Sequence, residues 1–301
     1  MNRFNIIIIL VLFVGCSANN IEQEKAKNSA DFNNLIKVTL LNELVDESSG
    51  LLFLNDKLIT HNDSGGSNNL YELDTLDGSI SRTTTIKNST NKDWEDIAVD
   101  SKYIYIGDFG NNNGNRKDLL IYKIKISDYL DAGNNSINSE EIKFSYSDQT
   151  VFNINPYNTN FDAEAIVSIE NKLYIFTKNW VNKWTNVYSL EKNPGTYVAS
   201  KIDSINVKGF ITGADYNKST NTVSLLGYDN NSNFIIEVSE FENSNFSVGT
   251  IKKYNLKVPQ NSSVQTEGLS IKKNNYYISA EKNLGNSSVL YKISKENLLI
   301  N

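Results

Sequence analysis

The sequence predicts an all-β domain assembled from a repeated, several-stranded unit, and three observations carry that prediction. One phrase recurs five times: a small or acidic cluster heading an apolar strand, a second apolar run ending in polar residues, then a third run carrying Tyr or Leu-Tyr. The copies begin near Glu47-Ser48-Ser49-Gly50, Trp94-Glu95-Asp96-Ile97-Ala98, Asp162-Ala163-Glu164-Ala165-Ile166, Thr212-Gly213-Ala214-Asp215 and Thr266-Glu267-Gly268-Leu269. Composition agrees, with 16 Tyr, 13 Phe and 46 Asn against one Met and three Pro. Asn tolerates left-handed backbone and bonds its own turn, so it marks the loops of a strand-rich chain. No stretch longer than a turn or two shows helical period. A self-similar period of about 50 residues with several strands per unit reads as the blades of a β-propeller.

The elements follow in order. The first unit has Gly50 to Leu54, a turn at Asn55-Asp56, Lys57 to His61, a polar loop, Asn69 to Asp74, and an outer strand over Ser81 to Ile86. The second has Ile97 to Val99, Tyr103 to Asp108, Leu119 to Ile124 and Glu141 to Tyr146. The third and fourth repeat the pattern at Ala165 to Val167 and Thr222 to Gly227. The fifth unit, with strands at Leu269, Tyr276 and Val289, runs out of chain before a fourth strand. Leu35 to Leu41, upstream of the first unit, is a strand without a blade. Closure is the natural inference: the N-terminal strand completes the last blade and removes its exposed edge. Five four-stranded blades is the expectation. Six is the alternative, because Asp96 and Glu164 stand 68 positions apart against about 50 elsewhere.

The first residues speak of location. Arg3 is followed by an apolar run from Ile6 to Val14 and then Gly15-Cys16. That run is shorter than the roughly 20 residues a spanning helix needs and suits a cleaved secretory signal. Phe13-Val14-Gly15-Cys16 resembles the bacterial lipobox, which implies a signal peptide over 1–15 and a lipid on Cys16. Cys16 is also the sole cysteine, so no intrachain disulfide forms. Residues 16–34, nearly devoid of apolar side chains, read as a tether, and 35–301 as the propeller domain. The expected place is the bacterial cell envelope, lipid-anchored, at the outer membrane by resemblance of Ser17 to sorting rules. The net charge of −6 and the lack of a basic stripe exclude a nucleic-acid partner.

The strings His61-Asn62-Asp63-Ser64-Gly65, Asp93-Trp94-Glu95-Asp96, Gly107-Asp108-Phe109-Gly110, Phe161-Asp162-Ala163-Glu164 and Thr212-Gly213-Ala214-Asp215 resemble a group of secreted bacterial propellers. More distantly, residues 36 to 294 resemble NHL-repeat, gluconolactonase-like and phytase-like propellers. The gluconolactonase-like resemblance implies a divalent ion, usually calcium, held in the central channel by carboxylates and amides from several blades.

Innermost strands of a propeller line its channel, so their mouths converge on one point. Aligning the units puts Ser49, Asp96, Glu164, Gly213 and Glu267 in one ring. The ends of the second strands form an adjoining ring: His61, Asn62 and Asp63, then Asp108, Lys178, Tyr228 and Glu281. Ligand binding is assigned to Asp96, Asp108, Glu164, Lys178, Tyr228, Glu267 and Glu281. Asp96, Glu164 and Glu267 are the candidate calcium ligands, because calcium takes six to eight oxygens. His61, the sole histidine, is the candidate general base, with Asp63 and Lys178 beside it. The alternative is structural, with the repeated acid accepting backbone N–H bonds from a neighbouring blade. Two functions survive: an envelope binding module whose acidic mouth takes a small molecule or an envelope protein, and a calcium-dependent hydrolase of lactones or phosphate esters. Fold alone does not choose between them.

Overall fold

The computed structural model describes residues 33–131, 135–259, 265–282 and 287–299. The signal-peptide and lipidation expectations, Cys16 included, and most of the tether lie outside the described residues.

The chain opens with β1 (Asn33–Asn34) and β2 (Ile36–Leu40). Unit I follows as β3 (Ser48–Leu54), β4 (Lys57–Asn62), β5 (Asn69–Leu73) and β6 (Ile80–Ile86). Its first hairpin turns at Asn55 and Asp56, with φ of 46° and 65°. Two left-handed residues in succession match the twist of a two-residue hairpin, and Asn and Asp tolerate that conformation. Unit II comprises β7 (Trp94–Val99), β8 (Tyr103–Asp108) and β9 (Leu119–Lys125), then α1 (Ile126–Leu130), β10 (Ser136–Ile137) and its outer strand β11 (Glu140–Tyr146). Unit III is β12 (Ala163–Ile169), β13 (Lys172–Thr177), β14 (Thr185–Glu191) and β15 (Gly195–Ile205). Unit IV is β16 (Phe210–Asn217), β17 (Thr222–Tyr228), β18 (Asn233–Ser239) and β19 (Thr250–Lys257). Unit V has β20 (Thr266–Lys272), β21 (Asn275–Ala280) and β22 (Val289–Ser294).

Within every unit the strands pair antiparallel in chain order, and β2 supplies the fourth strand of unit V by pairing with β22. First and last parts of the chain thus share one sheet. Outer-edge contacts tie units together. β11 runs parallel to β15, joining units II and III, and β10 runs parallel to β6 of unit I. β1 pairs with β19, so ordered pairing begins two residues before the boundary expected from composition. The surplus length between Asp96 and Glu164 builds no further sheet among the described residues. It is spent on α1, β10 and the stretch from Ser147 to Asp162.

The innermost strands touch in a closed cycle: β3 to β7, β7 to β12, β12 to β16, β16 to β20, and β20 back to β3. The core is divided in the same way. Five apolar clusters each fill a gap between successive units, such as Leu52, Ile59, Trp94 and Ile104 between I and II. Another holds Leu51, Leu58, Val45 and Leu290 between I and V. A ring of sheets whose gaps are all filled, the last gap by both ends of the chain, is a β-propeller. Among the described residues no helix is long and apolar enough to cross a membrane.

Candidate functional site

Each innermost strand carries a register irregularity at the same place, near its first residues. The pairing slips between Ser48 and Leu51, Trp94 and Asp96, Ala163 and Ala165, Ile211 and Gly213, and Thr266 and Leu269. In each case the inner strand holds one residue more than its partner, which makes a β-bulge. The residues thrown out at this step are Ser49, Glu95, Glu164, Thr212 and Glu267.

The bulge corrects two positions of the expected ring. Ser49, Glu164 and Glu267 occupy it, but unit II contributes Glu95 rather than Asp96, and unit IV contributes Thr212 rather than Gly213. Side chains alternate along a strand, so a slip of one residue moves a side chain to the other face. Counting back two residues from Leu51, Ile97, Ile166, Ala214 and Leu269, each in the unbroken strand pairing just beyond the slip, recovers the true ring. Aligning on the acidic residue itself does not.

Asp96 therefore does different work. It is fully buried, its Cα beside Gly50 and its carboxylate against the amides that follow Ala165 and Gly213. A Cβ on Gly268 would stand 2.0 Å from the Ser49 carbonyl oxygen, and one on Gly213 2.4 Å from that of Glu267. The inner strands approach too closely there for side chains, and the Asp96 carboxylate occupies the space that remains. Its Oδ1 accepts the Ile97 amide at 2.8 Å; its Oδ2 accepts the Ile166 amide at 2.9 Å and the Ala214 amide at 3.1 Å. Asp96 staples three units, and three of its roughly four acceptor positions are taken by backbone amides. With Glu164 committed to Lys178, the expected trio of Asp96, Glu164 and Glu267 does not fit calcium.

The second ring is also displaced by one residue in places. Asp63, Lys178 and Glu281 directly follow β4, β13 and β21, and Tyr228 ends β17. The equivalent residue in unit II is Phe109, which is buried in the core. Asp108 points elsewhere: it accepts Arg116 Nη2 at 2.8 Å and the amides of Lys92 and Asp93. His61 is a second correction. Its ring is fully buried and meets Trp94 edge-on at 5.5 Å, and Nδ1 lies 3.0 Å from the Asn62 carbonyl. Burial lowers its pKa to about 4, against the weaker upward pull of the Asn62 and Asp96 backbone. A sealed, neutral imidazole cannot serve as a general base at the mouth.

What converges there is a set of carboxylates around few cations. Lys178 Nζ lies 3.1 Å from Glu164 Oε1, both side chains being buried. It also sits 5.0 Å from the Trp180 ring and 5.5 Å from the Tyr228 ring. Burial alone would lower the lysine's pKa, but Glu164 first and Glu267 next outweigh it and hold the ammonium charged. Burial pushes Glu267 up to about 8, with Glu281 adding to the effect and Lys178 opposing it. One of its oxygens, Oε1, accepts the Gln265 amide; no donor among the described residues reaches Oε2. Burial, then Asp93, pushes Asp63 up to about 7. Asp162 holds the indole of Trp180 through Nε1 at 2.7 Å. From there Trp180, Phe210 and Tyr228 form an aromatic arc with centroids 4.9 and 5.6 Å apart.

A separate cavity of about 710 Å³ opens on the flank of unit II between Lys92, Arg116, Lys117 and Phe144. Lys92 is paired with Asp118, Arg116 with Asp108 and Lys143 with Glu141, which leaves Lys117, over the Phe152 ring, without an ion pair among the described residues. At the channel mouth the charge left over is negative.

No protein-family profile matches the sequence, and no curated protein does. Solved structures do resemble it. A glutaminyl cyclase from Myxococcus xanthus aligns over 89% of this chain and 97% of its own, with TM-score 0.51 and 9% identity. A gluconolactonase from Xanthomonas campestris aligns over 84% and 72%, with TM-score 0.46 and 9% identity. A PQQ-bound aldose sugar dehydrogenase from Streptomyces coelicolor aligns over 85% and 96%, with TM-score 0.44 and 9% identity. Likeness at this level of identity concerns the fold. The chain is a β-propeller protein.

Proposed function

We propose that this protein is a five-bladed propeller that works as a ligand-binding module, held at the bacterial outer membrane by a lipid on Cys16. The ligand is a small organic cation, free or presented by an envelope protein, whose ammonium enters the acidic mouth. One observation carries this reading: Glu267, beside Glu281, buries an oxygen that no donor reaches, while the nearest cation, Lys178, is already paired with Glu164. Crowded acids raise one another's pKa, and a cation brought among them relieves that cost. The arc of Trp180, Phe210 and Tyr228 supplies ring faces of the kind that attract an ammonium. Binding is favoured over hydrolysis because the sole imidazole lies sealed away from this mouth.

The test is a calorimetric and thermal-shift panel of primary and quaternary amines and amino sugars, each beside a neutral analogue of the same shape. At least one cation is expected to bind in the micromolar to millimolar range, with E267Q weakening it tenfold or more. Equal binding of neutral analogues, or no binding by any cation, would refute the reading. Turnover of a lactone or phosphate ester under the same conditions would replace it with the hydrolase. For the anchor, Cys16→Ser is expected to move the protein from the membrane fraction to the soluble one.

A further inference from the structure

We propose that Asp63, Asp93 and Glu95 form a seat for a divalent cation, with calcium as the ion that its donors suit, on the side of the mouth built by units I and II. This goes beyond the ammonium site, whose residues come from units III, IV and V.

The three side chains reach the seat from two adjacent units. Asp63 follows β4, Asp93 precedes β7, and Glu95 is the residue thrown out by the β7 bulge. One carboxylate oxygen from each lies within 4.8 Å of the others. Oxygens that close can share one ion, since opposite ligands of a calcium at about 2.4 Å stand about 4.8 Å apart. The donors are all hard oxygens. Histidine is not at hand, since His61 is enclosed by Trp94 and backbone, which argues against zinc. Three carboxylates offer up to six oxygens, and the partial exposure of Asp63 and Asp93 leaves an entry path and room for water.

Two observations separate this group from an ordinary acidic patch. Glu95 is 4% exposed, yet among the described residues its carboxylate has neither a hydrogen-bond donor nor an ion-pair partner. The nearest cations are spent: Arg116 bonds Asp108 and the Gly110 carbonyl and stands 3.9 Å from Asp93, and Lys178 is held by Glu164. The floor is also built to admit the carboxylates. A Cβ on Gly110 would fall 2.0 Å from Glu95 Oε1 and 2.5 Å from Asp93 Oδ2, so any other residue would fill the space they use. Asp63 is set in place by the Ser64 amide on its Oδ1. Burial, followed by the charges of Asp63, Glu164 and Asp93, pushes Glu95 well above the usual carboxylate range, a cost that a bound dication removes.

The experiment uses the full mature chain, stripped with EGTA and desalted. Equilibrium dialysis with radioactive calcium is expected to give one ion per chain, and melting in calcium chloride to rise by several degrees with a smaller rise in magnesium chloride. E95Q and D93N are expected to lower calcium affinity at least tenfold, whereas E267Q, which removes none of the three ligands, changes it far less. Circular dichroism of the stripped variants checks that they are folded, and the wild-type stoichiometry stands apart from any variant. Absence of stoichiometric calcium in the wild type would overturn the proposal, as would E95Q binding calcium with wild-type affinity. Amine binding that survives EGTA and E95Q leaves the ligand site standing whatever becomes of the ion, so the two failures are distinguishable.

Discussion

Replacing Asp96 by Ala should be the most damaging single change at the hub, although the residue never touches the mouth. The structure sets the size of the effect. The carboxylate is the acceptor for the amides of Ile97, Ile166 and Ala214, and Asp96 itself is fully buried. A buried amide left without an acceptor costs about 1–3 kcal/mol. Three of them, eased by some relaxation, come to about 3–6 kcal/mol. For a domain of this size each kcal/mol moves Tm by about 2–4 °C, so a fall of roughly 6–24 °C is expected. Urea unfolding followed by tryptophan fluorescence and far-ultraviolet circular dichroism measures it. Calcium affinity of the folded fraction should be unchanged, because Asp96 is a staple rather than a ligand. A D96A protein within about 1 kcal/mol of wild type would refute the stapling argument, as would one that melts normally but loses calcium.

Two further outcomes are expected. The His61 pKa falls from 6.5 in the unfolded chain to about 4 in the fold, a gap equivalent to about 3 kcal/mol. The folded state disfavours the charged ring, so this stability is present above pH 6.5 and lost as pH falls toward 4. Urea unfolding of wild type and H61Q at pH 7 and pH 4.5 should show the wild type losing about 2.5 kcal/mol more than the variant; parallel losses would mean that the ring is not held neutral. K178M leaves Glu164 buried without its cation and should cost about 3–5 kcal/mol, while K178M with E164Q should recover much of that. A double-mutant cycle by urea unfolding measures the pair, and near-zero coupling would show that the 3.1 Å contact contributes little.

The architecture was legible because it is written in local pattern. Asn55-Asp56 marks its hairpin by turn chemistry, and the alternating strands and five-fold phrase announce repeated sheets. The orphan strand at Ile36 to Leu40 and the missing fourth strand of the last unit imply each other, and they do pair. The site was legible only to within one residue. Aligning the repeats brings Glu164, Lys178, Tyr228, Glu267 and Glu281 to the channel mouth, but it selects Asp96 where the bulge presents Glu95, and it includes His61 and Asp108, which are buried among other partners. The reason is the bulge. An extra residue in the inner strand alters no composition and leaves the period almost unchanged, yet it reverses which of two adjacent acids faces the channel. The repeated phrase alone determined that acids would gather at the heads of most inner strands. Which acid holds the hub together and which stands open to a cation was decided when the sheets closed into a ring, where backbone distance sets the room for a side chain.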